Sequence, residues 1–399
     1  MAAKAKASAD GAVQSKSAKW HADTLDPRTI EREFARLWAQ QEESARARRP
    51  GSEAAELRTS TVNLIAVAEQ ATDAARLEET VRQLRDFAPT RAIVGLVDPD
   101  REEGGTDIEA TVREIATERG RPPLRFEIVR VTAAPSGITS LASIASPLLV
   151  PELPTFLFWS NSTLAGSHLF SELSAISDRL IIDSSILSEP DPSLRLVAST
   201  LGSTRAPIVS DFAWRRLNPW RSFLAQFFDH PDTLPALDRI DEVELVARAA
   251  DGEGPSGETG SLLLAGWLAS SLDWSTPGPL VRTRDGWRVT LRAGTGNEQR
   301  EILLQLRHKT HVQMRGRILS VTLRAEGDET PSVFSIERLS EGFVRTHSEP
   351  EGAMPTTRSV PAAVFTNEDL LSRELAALGR DSIYENALRF AVRLMPEGT

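Results

Sequence analysis

Two pairs of residues have side chains that could do acid–base or metal chemistry. Asp98 and Asp100 flank a proline directly after an apolar run. This composition is typical of a turn, and because no basic or apolar neighbour would tune either pKa, we favour the turn. His308 and His311 are the one close pair among six histidines. Arginine and lysine surround them and would repel a cation, which favours a solvated hairpin over a metal site.

A nucleophilic site is the third possibility. The pair Ser184 and Ser185 follows Asp183, but the G-x-S-x-G frame of a nucleophile elbow is absent, and no histidine is placed to act as the base. We therefore expect neither a catalytic residue nor a bound metal.

Nucleotide binding would need glycines that let the backbone approach phosphate groups. The loop after the first apolar strand, residues 68–72, reads Ala-Glu-Gln-Ala-Thr and has no glycine, and Glu69 would repel phosphates. No Walker-type sequence occurs, and Gly294-Thr295-Gly296 lies between two predicted strands, as a hairpin turn does. We expect no cofactor.

A cluster of aromatic and basic residues is the more distinctive feature. Residues 211–221, Asp-Phe-Ala-Trp-Arg-Arg-Leu-Asn-Pro-Trp-Arg, contain two tryptophans and three arginines. These two residue types dominate protein-binding hot spots. For each tryptophan alone, packing in the core is the more common arrangement, with the arginines merely solvated. The cluster nevertheless leads us to predict that a protein contact includes Trp214, Arg215, Trp220 and Arg221.

Composition limits the partners and the compartment. The 399 residues carry 46 Lys and Arg against 56 Asp and Glu, a net charge of −10, which argues against nucleic acid and anionic membranes as partners. No cysteine is present, which excludes disulfides, thiolate-bound metals and a thiol nucleophile. No run approaches the roughly 20 apolar residues of a membrane span, and Met1–Trp20 lacks the apolar centre of a secretory signal. We expect a cytoplasmic protein.

The secondary-structure elements that must position these residues fall first into two parts of the chain, residues 1–50 and residues 51–204. Residues 1–50 are predicted to be a disordered basic tail and a helix that starts at Asp26-Pro27. Residues 51–204 alternate short apolar runs with helical patterns, which predicts a Rossmann-like α/β domain with a mostly parallel sheet. At the end of its last parallel strand, where such sheets present functional groups, Arg179 and Asp183 are a second candidate contact surface. The expected strands are 62–68, 91–97, 108–115, 126–131, 155–159 and 180–182.

Residues 205–399 have a different pattern. A long amphipathic helix over 212–228, a strand over 242–248 and an apolar helix over 261–272 come first. A helical C-terminal part begins near Thr366. Four closely spaced strands lie between, which predicts an α+β domain with an antiparallel meander; they are 287–292, 301–307, 318–323 and 333–339.

Five segments, in order, resemble the motifs of the glucose-6-phosphate dehydrogenase assembly protein family, OpcA. Together the matches extend from about Arg58 to the C-terminus and are specific, although any single one would not be. The departures are modest, with Glu152 where the family usually has Asp and Phe158 where it has Trp. The segments are PLLVPELPTFLFW at 147–159, DRLIIDS at 178–184, DFAWRRLNPWR at 211–221, LLAGWLASSLDW at 263–274 and RDSIYENAL at 380–388.

The resemblance implies a non-enzymatic protein that binds glucose-6-phosphate dehydrogenase and raises its activity in the oxidative pentose phosphate route to NADPH. One alternative is a sugar-phosphate-sensing regulator of the same enzyme. It would need convergent basic residues near 161–167 at the sheet edge, and the sequence offers Arg179 alone. The other alternative, an enzyme with a degenerate Rossmann domain, is disfavoured by the empty inventory of catalytic residues.

Overall fold

Most of the chain is described by a computed structural model. The described residues are 14–22, 26–48, 62–68, 76–77, 80–81, 91–98, 100–101, 106–115, 124–134, 136–161, 164, 167–187, 190–201, 207–248, 259–294, 299–309, 318–340, 342–377 and 379–396. They form two eight-stranded sheets with helices packed against them. Within these ranges, no helix is long and apolar enough to cross a membrane.

The first sheet contains the strands of the N-terminal half. Its spatial order is β1-β4-β5-β3-β2-β6-β7-β8. Its central strands are buried along their length, as in Arg91–Val97, which is apolar after its first residue, and such strands need cover on both faces of the sheet. The strands are β1 (Gln14–Ala22), β2 (Asn63–Ala68), β3 (Arg91–Val97), β4 (Thr106–Ile115), β5 (Leu124–Ala133), β6 (Thr155–Trp159), β7 (Arg179–Ile182) and β8 (Ile208–Asp211).

Six of these strands, β5-β3-β2-β6-β7-β8, are mutually parallel. Numbered along the chain, they have the spatial order 3-2-1-4-5-6 of a doubly wound dinucleotide-binding fold. β4 and β1 extend the sheet in antiparallel fashion. The Rossmann-like, mostly parallel sheet is therefore confirmed.

Two differences from the sequence prediction concern the ends of this sheet. Residues 14–22, predicted as part of a disordered tail, form β1, which pairs with β4 along its whole length. At the other end β7 is not the last parallel strand, because α4 (Pro190–Thr200) leads into β8. The four-residue β8 was missed because only its first two residues are apolar, whereas the equally short β7 has three consecutive apolar residues. β8 also lies beyond the boundary predicted at residue 204.

Helices cover the first sheet on both faces. α1 (Pro27–Arg48) begins as predicted, with the carboxylate of Asp26 accepting the backbone N–H of Arg28 at 3.0 Å. The buried apolar face of α1, which includes Phe34, joins the main core. α2 (Leu141–Ala145) and α3 (His168–Ala175) follow β5 and β6.

The second sheet has the order β10-β11-β12-β9-β13-β14-β15-β16. The predicted meander is correct for most neighbours, but β9 lies between β12 and β13 and runs parallel to β12. The strands are β9 (Ile240–Arg248), β10 (Val281–Thr283), β11 (Gly286–Ala293), β12 (Arg300–Lys309), β13 (Ile318–Ala325), β14 (Ser332–Ser340), β15 (Phe343–Glu349) and β16 (Thr356–Pro361).

The helix predicted over 212–228 is divided into α5 (Phe212–Arg216) and α6 (Asn218–Gln226). Pro219 explains the break, because proline has no N–H to continue the hydrogen-bond ladder and favours the first turn of a new helix. The short α7 (Leu234–Leu237) then leads into β9.

The C-terminal helices connect the two sheets. α9 (Asn367–Ala376) buries three leucines, among them Leu370, in a cluster with residues of β2, β3, β6 and β7. α10 (Ser382–Leu394) packs on α8 (Thr259–Ser271), and the two approach so closely that a Cβ at Gly266 would lie 2.2 Å from the carbonyl oxygen of Ala387. The main apolar core runs without interruption from α1 to α10, so the two sheets share one packed interior.

Candidate functional site

Three of the six predicted contact residues come together where α5 and α6 meet the C-terminal segment, and a fourth, Trp214, packs beside them. We define the arginine cluster as Arg179, Arg215, Arg221, Glu374 and Asp381. Arg179 opens β7, the next two arginines lie on α5 and α6, and the carboxylates lie on α9 and just before α10. The cluster therefore joins the first sheet to a segment some 160 or more residues away in sequence.

Glu374 is the buried anion of the arginine cluster. It is fully buried, and the guanidinium of Arg215 donates to both of its oxygens, from Nη2 at 3.3 Å and from Nε. Nη1 of Arg179 lies 3.9 Å from Oε2 of Glu374. Burial opposes ionisation of Arg215, but the bonds and charge of Glu374 outweigh it and raise the pKa of Arg215. Glu374 thus fixes Arg215 in one orientation.

Asp381 holds the tryptophan beside the cluster. The indole N–H of Trp214 donates to its Oδ2 at 2.9 Å, and its Oδ1 caps α10 by accepting the backbone N–H of Tyr384 at 2.9 Å. The guanidinium carbon of Arg221 lies 3.5 Å from the centroid of the Trp214 ring. In this stack the indole of Trp214 lies on the core side and the guanidinium of Arg221 lies on the solvent side.

The two predicted tryptophans lie inside the protein. Trp214 is 1% exposed and Trp220 is 4% exposed, and the guanidinium of Arg338 covers the Trp220 ring at 5.2 Å. Arg215 and Arg221 are half-buried and reach solvent. In this conformation a partner could touch these two arginines directly, whereas the tryptophans position them from below.

Arg179 was expected at the end of the last parallel strand. Instead it starts β7, at the amino edge of the sheet, and is buried. It donates to the hydroxyl of Ser210 at 2.7 Å and to the carbonyl oxygen of Gly379 at 2.8 Å, and burial lowers its pKa. The sugar-phosphate alternative relied on this cation, which is already bound to groups of the protein itself.

Asp183 does follow the carboxyl end of β7, but it is buried and lies apart from the arginine cluster. Both of its oxygens accept from Nη1 of Arg216, at 2.9 and 3.0 Å. Burial disfavours its charge, but Arg216 and the hydrogen bonds from Ser185 outweigh that effect and lower the pKa of Asp183. Arg216 in turn donates to Asn367 at 2.7 Å, which ties α5 to α9.

Asp211, at the carboxyl end of β8, is a buried carboxylate that the sequence analysis gave no role. Its oxygens accept from the hydroxyl of Ser184 at 2.5 Å, from the hydroxyl of Tyr384 at 3.4 Å and from the backbone N–H of Ala213 at 2.9 Å. Burial, with repulsion from Asp183, raises the pKa of Asp211 to about 6. The hydroxyl that could have been a nucleophile is therefore bound to a buried carboxyl group.

The switch point of the parallel sheet lies between β2 and β6, where folds of this order bind dinucleotides. There the guanidinium of Arg76 donates to the carbonyl oxygen of Ser160 at 2.9 Å. The glycine-free loop 69–75 lies outside the described residues. In the part of the chain that is described, no group of three or more His, Cys, Asp or Glu is arranged to hold a metal ion.

Sequence reasoning named the arginines but missed their carboxylate partners. Glu374 gave one signal, since it follows Leu371 by three residues and so lies on the apolar face of its helix. A charged residue on such a face indicates a buried ion pair. Asp381 and Tyr384 lie in the segment 380–388 that resembles the family's motifs. Their contact with Trp214 is set by the tertiary fold, and no local pattern in the sequence indicated it.

Comparison with known proteins gives two matches to family models. Residues 81–199 match the N-terminal domain of a glucose-6-phosphate dehydrogenase subunit. Residues 207–388 match the C-terminal domain of the same subunit. Between them the two models include the second sheet, the first sheet except β1 and β2, and all residues of the arginine cluster.

Curated relatives carry the name "Putative OxPP cycle protein OpcA". The one from Synechocystis sp. is 24% identical over 273 residues, which are 67% of this chain and 56% of that protein. The one from Nostoc punctiforme is 26% identical over 267 residues, 66% of this chain and 56% of that protein. The match thus spans little more than half the length of these relatives.

Solved structures with a similar fold include oxidoreductases. A variant of KijD10, a 3-ketoreductase from Actinomadura kijaniata, has a TM-score of 0.49 at 10% identity, covering 83% of this chain and 95% of that one. A dehydrogenase from Chromobacterium violaceum has a TM-score of 0.40 at 12% identity, covering 84% and 93%. Likeness at this level does not extend to activity. The two family models, which together match most of the chain, show that it belongs to the glucose-6-phosphate dehydrogenase assembly protein family, OpcA.

Proposed function

We propose that this chain is a non-enzymatic assembly and activator protein that binds glucose-6-phosphate dehydrogenase in the cytoplasm and raises its activity in the oxidative pentose phosphate pathway. The observation that carries the proposal is the match of both halves of the chain to domains described as parts of a glucose-6-phosphate dehydrogenase subunit. The names of the curated relatives connect them to the same pathway.

The internal bonding of the polar groups supports a binding role. Ser184 donates to Asp211, and Asp183 is bound to Arg216. Such groups stabilise a fold and position a surface, and both carboxylates are buried. An activator of this kind acts through differential affinity, because it shifts the enzyme towards the state that it binds more tightly.

The proposal is tested by titrating the purified chain into the glucose-6-phosphate dehydrogenase of the same organism, with rate and oligomer size followed together. We expect the rate to rise to a plateau while the two proteins co-elute. An unrelated acidic protein at equal concentration is the control. A dehydrogenase indifferent to the chain, or turnover by the chain alone with glucose 6-phosphate and NADP, would contradict the proposal. Co-elution that requires added glucose 6-phosphate would favour the sugar-phosphate-sensing alternative.

A further inference from the structure

The arginine cluster contains more positive than negative charge. Among the described residues it has three guanidinium groups and two carboxylates. Glu374 pairs with both Arg179 and Arg215, and Asp381 is 3.9 Å from Nη1 of Arg215. The third cation, Arg221, forms no ion pair with a carboxylate of the described residues, although the charge of Asp381 acts on it from a distance.

Arg221 also has unused hydrogen-bonding capacity. Of the described residues, Asn218 alone accepts a hydrogen bond from it, through Nη2, and its Nε is buried with no acceptor there. An arginine offers five N–H donors in a planar fork, so several of them have no protein acceptor among the described residues. Burial, together with the neighbouring charge of Arg215, lowers the pKa of Arg221 to about 10. A nearby anion would accept hydrogen bonds from these donors and would stabilise the positive charge of Arg221.

The guanidinium is already held in place. It stacks over Trp214, whose indole N–H is fixed by Asp381. A cation immobilised by stacking loses little further conformational freedom when it binds a ligand, so its hydrogen bonds contribute more to affinity.

The surface around Arg221 has the composition of an interaction site. Arg215 is 29% exposed, and Ile383, two residues beyond Asp381, is 51% exposed. Half-buried arginines, with an exposed apolar side chain in the segment that carries their carboxylate partner, are features of a hot spot with a polar rim.

We propose that Arg221, supported by Arg215, accepts a single carboxylate of an acidic side chain on the surface of glucose-6-phosphate dehydrogenase, and that Ile383 packs against an apolar neighbour of that side chain. This inference rests on the proposed function. One surplus positive charge matches a carboxylate, and the planar guanidinium binds it well. A carboxylate neutralises that surplus, whereas a phosphate dianion would leave the site with a net negative charge.

The test compares the dehydrogenase affinities of variants at Arg221. Arg221→Met keeps an aliphatic stem over Trp214 but removes the charge and the donors, and Arg221→Lys keeps the charge without the fork. We expect Arg221→Met to bind about 10- to 100-fold more weakly and Arg221→Lys to lie between it and the unaltered chain. The control, Arg345→Gln, removes an exposed cation on β15 that pairs with Glu337 on β14, and it should change affinity less than about twofold.

A second measurement does not depend on how the variants fold. Phenylglyoxal modifies arginine, and mass spectrometry of the unaltered chain gives the rate at Arg221 alone, with dehydrogenase and with inorganic phosphate. Protection by the dehydrogenase supports the inference. Protection by phosphate and not by the dehydrogenase overturns it, as does protection by neither.

The outcomes separate the inference from the proposed function. If the unaltered chain binds the dehydrogenase and folded Arg221→Met binds equally well, the carboxylate contact is wrong while the proposed function stands. If the unaltered chain does not bind the dehydrogenase, the proposed function fails and the inference fails with it.

Discussion

Asp211 gives a quantitative test of how the buried polar groups contribute to stability. Its side chain is completely buried at the end of β8, and its pKa is raised to about 6 from an ordinary 3.8. Asp211→Asn removes the charge but keeps one oxygen that can accept the backbone N–H groups of Ser184 and Ala213. The other carboxylate oxygen accepts from the hydroxyls of Ser184 and Tyr384, and in the variant these would accept from the new amide instead.

The magnitude follows from the pKa of Asp211. A carboxyl group with a pKa of about 6 in the folded chain and about 3.8 unfolded makes ionisation in the fold cost about 3 kcal/mol, at 1.36 kcal/mol per pH unit. Because the folded state binds the proton more tightly, this group's stabilising contribution is complete below about pH 3.8 and is lost as the pH rises through about 6. Between pH 7 and pH 5 the unaltered chain should gain about 1.4 kcal/mol that the variant lacks.

Urea denaturation at pH 5, 6 and 7 measures this difference. We expect Asp211→Asn to be the more stable protein at pH 7, by at most about 3 kcal/mol, and its advantage to shrink towards pH 5. The control, Asp285→Asn, removes an exposed carboxylate from the turn between β10 and β11. Its free energy of unfolding should depend on pH in the same way as that of the unaltered chain. Parallel pH profiles for Asp211→Asn and the unaltered chain would refute the reasoning.

Three further substitutions test packing and buried ion pairs, each by its free energy of unfolding in urea. Gly266→Ala places a methyl group against the backbone of α10 and should cost about 1–3 kcal/mol, whereas Gly278→Ala, with nothing within 4 Å, should cost little. Glu374→Ala leaves two arginines without their shared buried carboxylate and should cost about 3–5 kcal/mol. Glu127→Ala removes the buried partner that accepts from Arg91 at 2.7 Å and should also cost about 3–5 kcal/mol. A loss below about 1 kcal/mol in either carboxylate variant would mean that the ion pair contributes no more than a surface pair.

Local periodicity predicted the strands whose pattern was strong. The apolar runs over 91–97 and 155–159 correspond to β3 and β6 residue for residue. Local periodicity did not predict which strands are neighbours, because strand pairing depends on residues far apart in sequence. The position of β9 between β12 and β13 follows from how the chain crosses the sheet, and no residue within 240–248 encodes that neighbour.

In the candidate site, too, the sequence predicted local features but not long-range contacts. The sequence identified Trp214 and Arg221 by type and spacing, which is all that a hot-spot argument uses. Whether the indole faced a partner or the core depended on Asp381, which is 167 residues away in sequence and accepts its N–H. Residue type therefore located the cluster, and long-range pairing decided which of its members reach solvent.

Burial also determines which substitutions can show that this surface binds a partner. Replacing Trp220 by Ala together with Arg221 by Ala would confuse two effects, because Trp220 is 4% exposed and its truncation should cost about 3–5 kcal/mol of folding stability. Lost binding could then reflect an unfolded chain. Arg221→Met avoids this difficulty, since it changes the outer member of the stack and leaves the buried indole and its bond to Asp381 in place. A folded Arg221→Met that fails to bind therefore identifies a contact, which no tryptophan truncation here can do.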